Sequence, residues 1–464
     1  MILFRKELKW GDIKMNGTIL GIIGFLTIGM VIFLLFKNFT IPSLAFITAS
    51  TITAIILVLT GTFTISEVGE FIEAGVAGTS PTACLFLFSV LFFGIMTDTG
   101  MFDRIIGALV KKVGDSVVGV AVMTCFIAMI AHLDGSGAAT FLITVPAMLP
   151  IYKRLNMRPT TLMLICVTAM GVMNLLPWGG PTMRAASVVG VEANVLWKQL
   201  MPMQGVGLIL ALVTAFIWGK IEVRRGAGVH GKLVTNTGSG DIDDLEQESN
   251  QENKNNELER PKNFVVNVIL TISVVISLVF LKLPAYLMFM VGCSLAIFIN
   301  YPNIKLQSKV IKKHSGPAIM MSSTLFAAGV FLGMLEESGL MEHMATILSS
   351  ILPQALGPFL PILIGLLSVP LTLVFCTDAY FYGLLPVLIS LGNAFGVDPV
   401  QTAISMEVCR NCATFISPVV PATFLGVGLA GIEIKDHIKN SFFWVWGVSI
   451  ICLISGLLFG IIQL

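Results

Sequence analysis

Apolar residues in this chain come in long blocks, not in alternation. Blocks near 17–36, 41–63, 81–98, 160–190, 197–218, 263–281, 285–300, 317–334, 399–430 and 442–462 are each read as a membrane helix, since about 20 apolar residues at about 1.5 Å each cross a hydrocarbon core. The short alternating segments of a β-barrel are missing from the pattern. Two further apolar stretches, 117–151 and 356–391, are interrupted midway by polar residues. Their arms of about 15 residues are short for a span of about 20, so each is read as a re-entrant helical hairpin. Irregular backbone at membrane depth is tolerated only inside protein or beside water, so the interruptions predict a cavity.

A polar segment, 220–262, divides the pattern near its middle. Its "GDIDDLEQESNQENKNNELERPK" holds almost no large apolar residue and reads as a solvated linker. The two sides resemble each other. "FFGIMTDTGMFDRIIGAL" (92–109) aligns without a gap on "FLGMLEESGLMEHMATIL" (331–348), pairing Gly94 with Gly333 and Gly100 with Gly339. Gly94 to Ser136 is 42 residues and Gly333 to Cys376 is 43; Pro146 to Pro181 and Pro386 to Pro421 are both 35. Each half therefore carries one hairpin and one broken helix at matched spacing. The expected layout is a tail and first scaffold helices (1–80), repeat 1 (81–219, with hairpin 117–151 and broken helix 160–190), the linker (220–262), scaffold helices (263–316) and repeat 2 (317–464, with hairpin 356–391 and broken helix 399–430).

Charge adds direction. Only 12% of the 464 residues are charged, 55% are hydrophobic, and the formal net charge is +1, with a mean hydropathy of +0.90. A soluble domain carries about 25% charged residues. No basic face interleaves with aromatics, so nucleic-acid binding has no support. The eight cysteines all fall in apolar segments and read as packing residues, "CRNC" at 409–412 included. The segment leading into the first hairpin, after Gly100, carries Arg104, Lys111 and Lys112, whereas its counterpart, Leu335 to Ile351, holds Glu336, Glu337 and Glu342 and no Lys or Arg. By the positive-inside rule the first hairpin enters from the cytoplasm and the second from outside, which makes the repeats inverted. Loops with Lys153, Arg154 and Arg158, with Lys305 to Lys313, and with Lys435 and Lys439 agree. The tail, with Arg5, Lys6, Lys9 and Lys14, falls outside on the span count and disagrees.

Inverted repeats with broken helices mark secondary transporters with a site at the midplane. Four segments are expected to converge there: the tips "HLDGSG" (132–137) and "FCTDAYFYG" (375–383), and the breaks "NLLPWGGPTMR" (174–184) and "CATFISPVVPA" (412–422). Pro177 and Pro181 cannot continue a helix, and Gly179 and Gly180 permit open backbone. Pro418 and Pro421 do the same in the second half. The restarting half-helices aim free N–H groups at the cavity, which suits an anion; a packing kink fits either break alone. Arg410 stands mid-helix three residues after Glu407. It is either half of an i,i+3 ion pair or a fork for a carboxylate. Arg184 either reaches the substrate or snorkels to the interface. Asp134 and Asp378, at the tips, and Glu407 are open to two roles: proton carrier or oxygen ligand to Mg²⁺ or Ca²⁺. His132 either titrates or only holds structure. Ser136, Gly137, Thr140, Asn174, Thr182, Thr377 and Ser417 supply further polar or open backbone contacts.

"LDGSGAATFLITVPAMLPIYKRL", "NLLPWGGPTMRAASVVG", "FYGLLPVLISLG" and "FISPVVPATFLGVGLAG" closely resemble the citrate–divalent-metal:proton symporter family, CitMHS. The resemblance covers nearly the whole chain outside the linker and the tail. It implies a multi-pass protein of the cell membrane that carries citrate complexed with Mg²⁺ or Ca²⁺, coupled to protons, with no permanently bound cofactor. Through the wider superfamily of divalent anion/sodium symporters it also implies an elevator motion and a homodimer. There the tips carry Ser-Asn-Thr; here those places hold Ser136-Gly137-Ala138 and Cys376-Thr377-Asp378. An acid thus replaces part of the sodium-site triplet, and an acid can take up a proton. Chelation leaves citrate with one net negative charge, which a site with few cations can hold without the desolvation cost of the free trianion. A sodium- or proton-coupled di- or tricarboxylate carrier without metal is the rival. A membrane hydrolase using Asp134, His132 and Ser136 lacks any HExxH or GxSxG pattern.

Overall fold

The computed structural model describes residues 16–37, 39–112, 114–228, 257–281, 283–351 and 353–463. Among these the chain forms eighteen α-helices and no strand. The first nine are α1 (Gly17–Phe36), α2 (Pro42–Leu59), α3 (Ile65–Asp98), α4 (Met101–Lys111), α5 (Val117–Ala131), α6 (Gly137–Arg154), α7 (Pro159–Met173), α8 (Gly180–Val188) and α9 (Ala193–Arg224). The last nine are α10 (Phe264–Phe280), α11 (Ala285–Asn300), α12 (Ile304–Glu336), α13 (Leu340–Ile351), α14 (Leu360–Thr372), α15 (Leu385–Asn393), α16 (Pro399–Cys412), α17 (Pro421–Ala430) and α18 (Ile434–Leu458). Long, short and broken helices recur in the same order in both halves. Among the described residues, eight helical segments are long and apolar enough to cross a membrane. One of them, Val117–Asp134, is a hairpin arm with its tip turn, so length alone does not separate an arm from a crossing helix. Leu59, Phe280 and Phe298 are 70%, 77% and 71% exposed, as side chains that face lipid are.

Two helices are longer than the apolar blocks that announced them. The block 81–98 is the second part of α3, which begins at Ile65, and 317–334 lies within α12, which begins at Ile304. A capping box starts α3: Thr64 Oγ1 accepts from the Glu67 amide, and the Glu67 carboxylate accepts from the Thr64 amide at 2.7 Å. The boundaries expected at 80/81 and 316/317 therefore fall inside helices. At the linker, α9 runs on to Arg224, and the chain is in place again from Glu257. Arg260 N donates to Thr99 O at 3.1 Å, and its guanidinium stacks on Tyr301. The middle of the linker, 229–256, and the tail with Arg5, Lys6, Lys9 and Lys14 lie outside the described residues.

Helices α3 and α12 pack along their lengths, flanked by α11 and α2, with α10 on α11 and α1 on α2. A second group joins α5 to α9 with α14 to α18. Helices α4 and α13 lie between the groups: α4 touches α3 and α5, and α13 touches α12 and α15. Contacts along the α3–α12 pair fix its direction. Asp98, at the end of α3, meets Lys313 at 2.5 Å and His314 at 2.9 Å near the start of α12. Midway, Ser322 Oγ donates to Ala83 O at 3.2 Å. Gly75 lies against Gly329 and Gly333 near the end of α12. The two helices, which hold the same place in their halves, run antiparallel.

Small residues make that approach possible. A Cβ on Gly75 would stand 2.1 Å from Gly329 O, and one on Gly333 would stand 2.2 Å from Phe71 O. Those neighbours are backbone and cannot rotate away. In lipid, where apolar association gains little from water, such close packing is what holds helices together. Gly333→Leu is expected to destabilise the protein by about 1–3 kcal/mol, seen as a lower unfolding temperature in detergent. Gly78→Leu, at a position with open space around it, is the control and should unfold like the parent.

Candidate anion site between the hairpin tips and the helix breaks

The first tip follows from its sequence. Helix α5 ends at Ala131, His132–Asp134 make one 3₁₀ turn, and Gly135 adopts φ 73°. That left-handed conformation suits glycine and turns the chain into α6. Asp134 Oδ1 accepts from Ser136 N at 2.8 Å, and Ser136 Oγ accepts from Ala139 N at 3.3 Å, capping α6. Thr140 Oγ1 donates to Ser136 O at 2.8 Å, so the His132 Nδ1 that lies 2.7 Å away carries the hydrogen. His132 is fully buried and ties the two arms together. Its Nε2 faces Asn174 without meeting hydrogen-bond geometry. Gly137 has no room for a side chain, since a Cβ would stand 2.3 Å from the Phe415 ring.

The first break closes over this tip. Helix α7 stops at Met173, and α8 restarts at Gly180 with Pro181 behind it, where a missing N–H does no harm. Gly179, the N-cap of α8, sits where a Cβ would be 2.3 Å from Asn174 O. Trp178 Nε1 donates to Leu133 O at 2.7 Å, joining break to tip. Thr182 Oγ1 reaches Asn174 O at 3.5 Å, and Asn174 Nδ2 reaches Asn411 Oδ1 at 3.5 Å. Both contacts are long; the first stays within the break, and the second runs from the first half into the second.

The second tip is held by charge. Arg184 lies one turn into α8 and does not snorkel to an interface. It is buried, with Nε donating to Asp378 Oδ1 at 2.7 Å and Nη1 to Gly180 O at 2.9 Å. Arg410 does not pair with Glu407. It is fully buried, Nη2 donates to Thr377 Oγ1 at 3.1 Å, and Nη1 donates to Thr414 Oγ1 at 3.3 Å. The guanidinium stacks on Tyr380 at 5.2 Å and Phe381 at 5.6 Å. Ser417 Oγ donates to Thr372 O at 2.6 Å, joining the second break to the second tip. A cavity of about 440 Å³ opens beside them, lined by Cys376, Ala379, Pro418 and Pro421 among others. Glu407 is fully buried, and neither carboxylate oxygen has a hydrogen-bond partner; the Thr182 hydroxyl faces it outside bonding geometry.

Each tip thus touches both breaks, and the four segments expected to converge do so. The charges sort themselves: Arg184 and Asp378 cancel, and Arg410 has no carboxylate partner among the described residues. Asn411, Thr414 and the stacking pair Tyr380 and Phe381 were not singled out from the sequence. Asn411 and Thr414 were legible in principle, four residues beyond Glu407 and Arg410 respectively on the helix.

A helical multi-pass membrane protein whose broken helices and hairpin tips gather on a buried guanidinium is of the solute-transporter class. The chain belongs to the citrate transporter family, CitMHS, which matches residues 15–408. It is 35% identical over 447 residues to the Mg(2+)/citrate complex secondary transporter of Bacillus subtilis (strain 168), covering 96% of this chain and 99% of that one. It is 34% identical over 444 residues to a citrate transporter of the same organism, covering 96% and 100%. Among solved structures, the YdaH transporter of Alcanivorax borkumensis is similar at a TM-score of 0.49 and 14% identity, over 83% of this chain and 87% of that one.

Removing one partner of a buried ion pair leaves an uncompensated charge, which costs about 3–5 kcal/mol. Asp378→Asn should therefore lower the unfolding temperature and abolish transport. Adding Arg184→Gln to it should restore most of the stability and none of the transport, when both are measured on the same preparations.

Proposed function

We propose that this protein is a secondary active transporter of the plasma membrane that imports citrate complexed with a divalent metal ion, coupled to protons. The observation that carries the reading is Arg410: a buried guanidinium at the junction of tip and break, with no carboxylate partner among the described residues. An isolated charge in an apolar core is costly, so the site suits one net negative charge, which is what a citrate trianion carries once it chelates a divalent cation. The relative named for the Mg(2+)/citrate complex supports that cargo. One citrate carboxylate would meet Arg410 as a fork. Thr377, Asn174, Thr182, Ser417 and the α8 start at Gly179 and Gly180 would surround the rest. Asp134, whose Oδ2 has no hydrogen bond among the described residues, would ligate an open position of the ion. Mg²⁺ or Ca²⁺ fits such oxygen ligands.

The transport motion would follow from the two groups of helices. We take the halves 81–219 and 317–464 as inverted repeats and the 220–262 linker as cytoplasmic, with the loops around Lys153, Lys305 and Lys435 on the same side. Antiparallel α3 and α12 support the inversion, as do the pairs Ala83/Ser322 and Gly171/Asn411, which stand 239 and 240 residues apart and touch. Matched residues meet only near a two-fold axis. The hairpins and broken helices would slide as an elevator against the scaffold, with α4 and α13 as arms and a homodimer as the fixed frame.

Purified protein in liposomes loaded at higher pH than the bath is expected to accumulate labelled citrate when Mg²⁺ or Ca²⁺ is present. EDTA should abolish that uptake, and sodium should leave it unchanged. Equal uptake with EDTA and with metal would mean a di- or tricarboxylate carrier without metal.

A further inference from the structure

We propose that Glu407 carries a transported proton by exchanging places with the substrate as the counter-charge of Arg410. The inference rests on the function proposed above and names the group that performs its proton coupling.

Geometry comes first. Residues 407, 410, 411 and 414 lie on one face of α16 and its continuation, at the i, i+3, i+4 and i+7 positions. Glu407 and Arg410 are therefore neighbours that a rotamer change can bring together. The structure holds them apart. Arg410 reaches forward to Thr377 and Thr414, its Nε is buried without a partner, and both Glu407 oxygens are buried without one. Three unpartnered polar atoms on adjacent turns of one buried helix face are a costly arrangement for two ions. It is a stable one for a neutral acid beside a guanidinium that holds an external anion.

The surroundings supply no other counter-charge. Helices α14, α15, α7, α8, α9 and α18 pack on α16. Helices α14 and α15 carry no ionisable side chain, and α7 carries only Cys166. Arg184 of α8 is held by Asp378, and Glu222 of α9 by Arg158 at 2.6 Å. His437 of α18 lies on Phe415 O at 3.1 Å. The remaining charged groups of α9 and α18, such as Lys198 and Lys439, are exposed. Arg410 is the single opposite charge that Glu407 can reach within its own helix face.

Two electrically balanced states follow. With the metal–citrate anion on Arg410, Glu407 keeps its O–H bond and both charges in the core are matched. When the anion leaves, the O–H bond breaks, the proton passes to water admitted to the cavity, and Arg410 turns its N–H groups from the substrate carboxylate to the Glu407 carboxylate. The carrier thus returns with an internal ion pair instead of a lone cation. Proton and substrate are obliged to travel together because either one missing leaves a bare charge in an apolar core. Since the bound state needs the protonated acid, affinity is full at low pH. It falls about tenfold per pH unit once pH rises past the point where Glu407 in the empty carrier gives up its proton.

The test uses the full-length protein and the Mg²⁺–citrate complex at constant free complex concentration. Binding by the parent should weaken about tenfold per unit over the upper part of a titration from about pH 6 to about pH 9, and Glu407→Gln should bind with no such slope. In liposomes Glu407→Gln should keep substrate counterflow and lose accumulation driven by a pH gradient. Gradient-driven accumulation by Glu407→Gln equal to the parent's overturns the inference and leaves the proposed function standing. Failure of the parent itself to accumulate the complex overturns the proposed function instead. If Glu407→Gln does not fold, the parent decides alone: in weakly buffered solution at about pH 8, binding should take up one proton per complex, and no uptake overturns the inference.

Discussion

Nothing at membrane depth can be left to water. Every broken helix exposes N–H and C=O groups, and every charge there needs a partner or a substrate. This constraint orders the whole molecule. Four interruptions occur in the chain, two of them hairpin tips and two of them helix breaks, and they satisfy one another. Trp178 of one break caps a carbonyl of the first tip, and Ser417 of the other caps a carbonyl of the second. Arg184, just beyond the first break, anchors the second tip through Asp378, 194 residues away in sequence. The long α3–α12 pair runs on as helix through Pro81 and Pro317 and is closed by glycine contacts, a frame beside a group that holds most of the irregular backbone.

The electrostatics divide into a charge that is paired within the protein and one that is not, among the described residues. Arg184 is neutralised by Asp378 and stitches α8 to the second tip. Arg410 is sheltered by aromatic faces and hydroxyls, which are neutral groups. A guanidinium in that setting keeps its affinity for a carboxylate, because no resident anion competes with the incoming one. With Asp378 held by Arg184, the acid that would compete in the proposed cycle is Glu407, one turn away on α16, and its proton would determine whether it does. In the proposed cycle substrate choice and proton coupling would reduce to the same question: which negative group Arg410 faces.

Much of this was legible in the sequence, for a physical reason. Prolines and glycines in apolar runs are costly unless they shape something, so "HLDGSG", "NLLPWGGPTMR" and "CATFISPVVPA" announced their breaks, and matched spacing showed that the breaks belong together. The resemblance to CitMHS placed the chain in its family. Helix ends were less legible. Glu67, Glu70 and Glu73 lowered the hydropathy where α3 begins, although "TISE" at 64–67 spells the capping box that starts it. Pairing was least legible. Spacing alone allowed Arg410 to close on Glu407 or to reach away, and allowed Arg184 to face lipid or the core. Those choices were settled by two side chains of the second tip, Thr377 and Asp378, which no local pattern connects to them.

A structure of the full-length protein with Mg²⁺ and citrate bound is the most direct test of a single site built by all four segments. Density for the complex is expected between the two tips, with a citrate carboxylate on Arg410, the ion toward Asp134, and the Arg184–Asp378 pair intact. Density for the complex elsewhere in the protein, or Arg410 closed on Glu407 while the complex is bound, would contradict it.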